Sequence, residues 1–234
     1  MSDRGRRIAD NLAGVQARIA EAALRSGRDA DAVRLVAVTK YADIAHTQAL
    51  VAAGCRDLGE SRPQQMWKKA AALAHTPVRW HLIGHLQRNK VTRTAPLLAM
   101  LHSLDSLRLA AAVDAAAAEL RRSIPVLIEI NISGDAAKHG FSEEDVEAAL
   151  MKLAAFRHLE IRGLMTMAAL EGGRTRARGD FQRLRSLRDR LRLNCPENVT
   201  LDDLSMGMSS DFEEAVEEGA TIVRVGSALF SGLE

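Results

Sequence analysis

The chain has 234 residues, 47% of them hydrophobic, and 32 Lys+Arg against 30 Asp+Glu give a net charge of +2. This length and apolar content support a large core, the near-balanced charge advertises neither nucleic acid nor an anionic membrane, and Cys55 and Cys195 form no CxxC pair, which removes a disulfide framework and most structural zinc patterns. A charged N-terminus without an apolar h-region, and no later run of ~20 apolar residues, predict a cytoplasmic protein in a reducing compartment with no membrane span.

Ile8, Leu12, Val15, Ile19 and Ala22 recur at helical spacing, so an amphipathic helix over 1–27 precedes the first strand. The chain then alternates. Strand-like runs stand at 34–39, 56–59, 79–83, 101–105, 125–131, 161–166, 201–206 and 221–225, interleaved with helical stretches at 44–53, 106–122, 142–155, 180–192 and from Phe212 to Glu218. Eight such units within about 250 residues predict an α/β protein, a single TIM (β/α)8 barrel over 34–230 with an additional N-terminal helix; an open doubly wound sheet is the alternative. No linker divides 1–234, so one domain is expected. The stretch EGGRTRARGD at 171–180 reads as a mobile loop where a barrel places functional segments.

The first strand, RLVAVT, runs into Lys40 and Tyr41. A lysine closing a buried strand is either a strand end reaching water or a reactive amine. The loops after the seventh and eighth strands are the customary phosphate seat of a barrel. After the seventh, Ser209, Ser210 and Asp211 precede a helix; after the eighth, Gly226 permits close backbone approach and Ser227 adds a hydroxyl. Taken singly, these residues read as N-caps and a turn. Barrel closure sets the eighth strand beside the first, so Lys40 and the phosphate seat become neighbours, and a lysine beside a phosphate suggests pyridoxal 5'-phosphate (PLP). Arg224, inside the eighth strand, supplies a nearby cation that could face the pyridine nitrogen.

Other candidates carry less. His81 and His85 have H-x3-H spacing, but Gly84 and the apolar WHLI run place them across a strand end, so no metal is expected; His85 can face a ligand, while His81 reads as a hydrogen-bonded core residue. Lys138 is the rival Schiff-base lysine and reads as a loop cation. Met165, Met167, Met206 and Met208 border the sixth and seventh strands as adaptable packing or as cofactor contacts. Lys68, Lys69 and the arginines of 174–192 read as solvated surface.

The segments LVAVTK, LGESRPQQ, WHLIGHLQRNK, SLDS, VLIEINISGDAAKHGF, IRGLMTM and LSMGMSSDFEEAVEEGATIVRVGSALF resemble the pyridoxal phosphate homeostasis protein family (YggS/PROSC type), which is similar to the barrel domain of alanine racemase. The resemblance implies that Lys40 carries PLP as an internal aldimine, that Ser209, Gly226 and Ser227 lie on its phosphate, and that Arg224 lies by its pyridine nitrogen. It also implies a carrier and regulator of vitamin B6 and amino-acid pools without robust turnover, with apo PLP-dependent enzymes as acceptors. The chain departs from the family at GESRP, where Ser61 and Pro63 follow the Gly-Glu that usually precedes Asn.

Three functions follow from this inventory: a PLP carrier, a PLP-dependent racemase-like enzyme, or an aldolase-type barrel in which Lys40 attacks a sugar-phosphate carbonyl. A racemase needs acid/base groups on both faces of the substrate carbon. Tyr41, next to Lys40 on an extended strand, would point away from it. The carrier is the expected function, as a monomer or weak homodimer, with the first helix covering the barrel floor or meeting a partner.

Overall fold

In the computed structural model, which describes residues 3–135, 139–169 and 172–233, eight parallel strands close into a barrel in chain order. They are β1 (Arg34–Val38), β2 (Asp57–Glu60), β3 (Arg79–Leu82), β4 (Leu98–Leu104), β5 (Ile124–Glu129), β6 (Leu159–Met165), β7 (Asp203–Ser205) and β8 (Ile222–Val225). The register Arg34↔Ile222 through Ala37↔Val225 joins β8 to β1 and excludes the open sheet. The helices are α1 (Asp3–Arg25), α2 (Ile44–Ala52), α3 (Pro63–Ala72), α4 (Val91–Thr94), α5 (Leu107–Glu119), α6 (Val146–Leu153), α7 (Gly173–Arg192) and α8 (Phe212–Glu217). Among the described residues no helix is long and apolar enough to cross a membrane.

Among the described residues the 3-10 turn Ser227–Phe230 follows β8, and α1 packs against that turn, α2 and α8, in the place of an eighth barrel helix. Its apolar face (Ile8, Leu12, Val15, Ile19, Ala22) is buried, Arg18 pairs with Glu213 and Arg25 with Glu217 on α8, and Asn11 donates to the Leu229 and Ser231 carbonyls. The first helix is thus a flank of the barrel and not a floor.

Residues 173–180 do not form the expected loop. They open α7, whose first turns are too arginine-rich to show apolar periodicity. Charge holds them instead: Arg174 and Arg178 reach Glu214, Glu217 and Glu218 around α8, and the buried Asp180 accepts from the Ala169 backbone N–H at 3.0 Å. The arginines read as solvated surface are therefore partnered on one side. β4 also begins earlier than expected, at Leu98, because Leu98 and Met100 continue its buried face.

Side chains alternate across each strand. Val36, Met100, Leu127, Met165 and Ile222 form an apolar cluster separate from the main core. The larger cluster lies between the sheet and its helices. Gly163 lets β6 meet β7: a Cβ there would stand 1.8 Å from the Asp203 carbonyl oxygen.

Lys69 is a second correction. It is 3% exposed, and its ammonium donates to Glu60 Oε1 at 2.5 Å and to the Thr39 carbonyl at 2.6 Å, while Lys68 is exposed. Glu60 Oε2 has no partner among the described residues, so Lys69 is the cation that makes burial of this carboxylate tolerable. Helical spacing places Lys69 on the inner face with Met66, which a reading by residue type overlooks. Replacing Lys69 by Met should cost about 3–5 kcal/mol of unfolding free energy by leaving Glu60 uncompensated. Lys68→Met should stay within about 0.5 kcal/mol; urea denaturation of both variants is the measurement.

Candidate functional site

The C-terminal ends of β1, β2, β3, β7 and β8 surround a cavity of about 1150 Å³. It is lined by all six residues singled out above: Lys40, Ser209, Ser210, Arg224, Gly226 and Ser227.

β1 ends at Val38, and the Ala42 N–H bonds the Thr39 carbonyl at 2.9 Å, so Lys40 and Tyr41 sit in a turn beyond the strand. The alternation rule that would send them to opposite faces does not apply. The Lys40 ammonium lies 5.0 Å from the centroid of the Tyr41 ring, and both residues line the cavity. Behind them, the buried Lys69–Glu60 pair grips Thr39: Thr39 Oγ1 donates to Glu60 at 2.8 Å while Lys69 holds the Thr39 carbonyl. The residue before Lys40 is thereby fixed from beneath.

At β7, Gly207 (φ +90°) turns the chain where a Cβ would come within 2.5 Å of Ala215. Asp211 occupies the N-cap position of α8 but makes no capping bond; its carboxylate accepts the Met208 N–H at 2.6 Å and tightens the loop. Ser209 is not an N-cap either. Its hydroxyl accepts from the backbone N–H groups of Gly226 (3.1 Å) and Ala228 (3.4 Å), so two donors of the β8 turn converge on one oxygen. Gly226 abuts β1, with room for a Cβ only at 3.2 Å from the Val38 carbonyl oxygen. The two loops and the end of β1 thus form one wall, on which the Ser209 hydroxyl takes up the Gly226 and Ala228 N–H groups.

Arg224 projects from β8 and is 3% exposed. It donates to Ser205 Oγ at 2.7 Å and to the Thr166 carbonyl at 2.8 Å. Burial lowers its pKa to about 10, against the opposing pull of Asp211 and Glu129. Glu129, at the end of β5, is pushed up to about 7 by burial and by the Asp105 charge.

The two histidines part company. His81 lies inside the barrel, bonded to Asp57 and His102, whereas His85 lines the cavity with Nδ1 2.7 Å from Asp105. His85, Asp105 and His139 bring ligand atoms within 4.8 Å of one another. The two rings, however, are stacked with centroids 4.2 Å apart and planes 14° from parallel, so their in-plane lone pairs run side by side and do not converge as a metal ion requires. The methionines divide as well: Met167 and Met208 line the cavity, while Met165 and Met206 are fully buried. Lys138 lies outside the described residues.

Sequence reasoning missed His46, Arg62, Ile83, Phe230 and Leu233, and left Ser61 in doubt; all line the cavity. Ser61, Ile83 and Gly84 follow directly on strand ends, a position that itself marks them in a barrel. Pro63 is the first residue of α3, so the departure at GESRP supplies a helix start as well as a cavity residue. A Cβ on Gly84 would meet the Ser61 carbonyl oxygen at 2.4 Å, which ties the two loops together. His46 and Leu233 carry no sequence signal.

The serine-bearing turns after β7 and β8, the lysine at the mouth and the cation at its base fit a phosphorylated aldehyde with a ring nitrogen. The family model described as alanine racemase, N-terminal domain, matches residues 11–234. A pyridoxal phosphate homeostasis protein of Pseudomonas aeruginosa is 40% identical over 223 residues, covering 95% of this chain and 94% of that protein. The structure of PipY from Synechococcus elongatus PCC7942 with PLP bound superposes with a TM-score of 0.83 at 35% identity, covering 96% of this chain and all of the other (100%). The alanine racemase of Corynebacterium glutamicum shares the fold alone, at 20% identity and a TM-score of 0.68, covering 97% of this chain and 63% of that one. Built on that barrel and similar to such relatives over nearly its whole length, the chain belongs to the pyridoxal phosphate homeostasis protein family.

Proposed function

We propose that this protein binds pyridoxal 5'-phosphate in the cavity, holds it as a Schiff base on Lys40, and serves intracellular PLP homeostasis as a carrier without robust turnover. One observation supports the reading above others: Lys40 and the Ser209 oxygen on the Gly226 and Ala228 N–H groups face a single cavity, with Arg224 buried at its base. In this reading the phosphate rests on Ser209, Ser227 and the β8 turn, with Ser210 beside it. Arg224 stands at the ring nitrogen, where an arginine leaves that nitrogen unprotonated and the cofactor a weak electron sink. Lys40 would hold the cofactor through its aldehyde carbon, the aldehyde oxygen being released as water. Lys40 is exposed, which suits a cofactor that must be handed on to apo PLP-dependent enzymes.

The racemase reading needs a second acid/base opposite Lys40. Tyr41 does not supply it, since it stands against Lys40 at the same edge. The His85–Asp105 pair at another edge of the cavity is the feature that favours weak side activity.

Borohydride reduction of the PLP-loaded protein followed by mass spectrometry should place the label on Lys40, and Lys40→Ala should abolish it with the fold retained. A label that persists on Lys138 overturns the assignment. Alpha-proton exchange of L-alanine in deuterated water should run far below about ten per second, the usual enzyme range; turnover in that range makes the protein an enzyme.

The phosphate seat is tested apart from the lysine. Ser209→Ala with Ser227→Ala should weaken PLP retention by about a hundredfold, because hydrogen bonds to a charged group contribute about 1.5–3 kcal/mol each and backbone donors remain. Pyridoxal lacking its phosphate should bind wild type and double variant alike. Wild-type PLP affinity in the double variant would put the phosphate elsewhere.

A further inference from the structure

A line of buried polar side chains crosses the barrel interior from the N-terminal ends of β2 and β3 to the cavity. Asp57 receives Arg79 at 2.7 and 2.5 Å, and its Oδ1 lies 2.9 Å from His81 Nε2. His81 Nδ1 lies 2.9 Å from His102 Nε2, His102 Nδ1 lies 2.8 Å from Ser205 Oγ, and Ser205 Oγ lies 2.7 Å from Arg224 Nη1. His81 is 2% exposed, His102 and Ser205 0%, and Arg224 3%. Every ring nitrogen meets a partner, so turning either imidazole over would set carbons against polar atoms.

The direction of this chain is forced from its cavity end. A guanidinium can only donate, so Ser205 accepts from Arg224. Ser205 is sealed from water, and among the described residues the acceptor within reach of its own proton is His102 Nδ1. His102 then carries its proton on Nε2 and donates to His81 Nδ1; His81 carries its own on Nε2 and donates to Asp57. Each bond therefore points toward the carboxylate, with both imidazoles neutral. Burial, together with the neighbouring Arg224 and Arg34 charges, holds the His102 imidazolium well below the usual histidine range, in keeping with that state.

Arg224 needs such support. Among the described residues its hydrogen-bond acceptors are Ser205 Oγ and the Thr166 carbonyl, both neutral; Asp211 and Glu129 act on its charge, and Arg224 also lines the cavity. A hydroxyl that donates into a chain ending on a carboxylate is a stronger acceptor than an isolated one, because successive hydrogen bonds polarise one another. The carboxylate at the far end of the barrel thus steadies the arginine without neutralising it.

We propose that Asp57, His81, His102 and Ser205 are positioning residues that act on the cavity through Arg224, as a one-directional hydrogen-bond chain running through the barrel. None of the four lines the cavity, so any influence they have on its ligand passes through the guanidinium.

Two of the three tests need no ligand. In the 15N-labelled full chain near neutral pH, two-bond 1H–15N correlation should find His81 and His102 neutral, protonated on Nε2 and bare on Nδ1. An imidazolium, or a proton on Nδ1 of either ring, overturns the proposal. His81→Phe keeps an aromatic ring but breaks the chain at a residue that does not touch Arg224. Exchange of the Arg224 guanidinium protons with water should then accelerate by about tenfold, the scale of one net hydrogen bond. A folded variant with wild-type Arg224 exchange overturns the proposal; should the variant not fold, the isosteric Asp57→Asn is read in the same way. The third test rests on the PLP reading above: PLP affinity should fall about tenfold in the same variant. Absence of PLP binding in the wild type would sink that reading and leave the tautomer and exchange results to decide this one.

Discussion

Closure of the barrel between β8 and β1 is the constraint on which the site depends. Lys40 and the donors of the β8 turn are far apart in the chain, and the register Ala37↔Val225 sets the ends of those strands side by side. Gly226 against the Val38 carbonyl shows how closely the ends meet. Closure also leaves no free edge, so every strand has two partners and the loops above them inherit fixed spacings. Helix α1 belongs to this constraint. It packs against α8 and α2 on either side of the β8–β1 seam with an apolar face and a rim of Arg–Glu pairs.

Much of this was legible in the sequence, because it rests on short-range signals. Alternating strand and helix patterns gave the barrel, and the rule that strand ends carry the chemistry pointed to Lys40, Ser209, Gly226 and Ser227, all of which line the cavity. What could not be read depends on the partner across space. The first turns of α7 look like a loop because their stability comes from glutamates on another helix. Lys69 looks like surface because its residue type suggests it, whereas the helix turns it back onto Glu60 at the end of the preceding strand. Tyr41 was set opposite Lys40 by a rule valid only while the strand continues, and the strand stops at Val38.

The interior of the barrel is polar to a degree that composition does not suggest. Five apolar side chains form the inner cluster, and the remaining space holds Asp57, His81, His102, Ser205, Arg224 and Glu129. Buried polar groups are costly unless satisfied, and a partly satisfied network is worse than an apolar one. Here the network has a defined direction, which is why histidine pairs with histidine: a neutral imidazole accepts on one nitrogen and donates on the other, and so passes polarity along without adding charge.

Two buried cations illustrate how differently the protein treats charge at the two levels of the site. Lys69 has a carboxylate at 2.5 Å, and its task is structural, holding the Thr39 carbonyl beneath Lys40. Arg224 is hydrogen-bonded, among the described residues, to two neutral acceptors, with Asp211 and Glu129 near enough to act on its charge, and a further carboxylate, Asp57, stands at the far end of a chain of neutral donors. A direct carboxylate would satisfy the guanidinium more cheaply, but it would also occupy the donors that face the cavity and cancel their field. Keeping carboxylates out of direct hydrogen bonding leaves an oriented cation at the base of the cavity while the strand that bears it stays buried. On the proposed function, that is the group that would meet the ring nitrogen of the cofactor. A firm donor at that atom with no proton to give would hold the ring without adding to its pull on electrons.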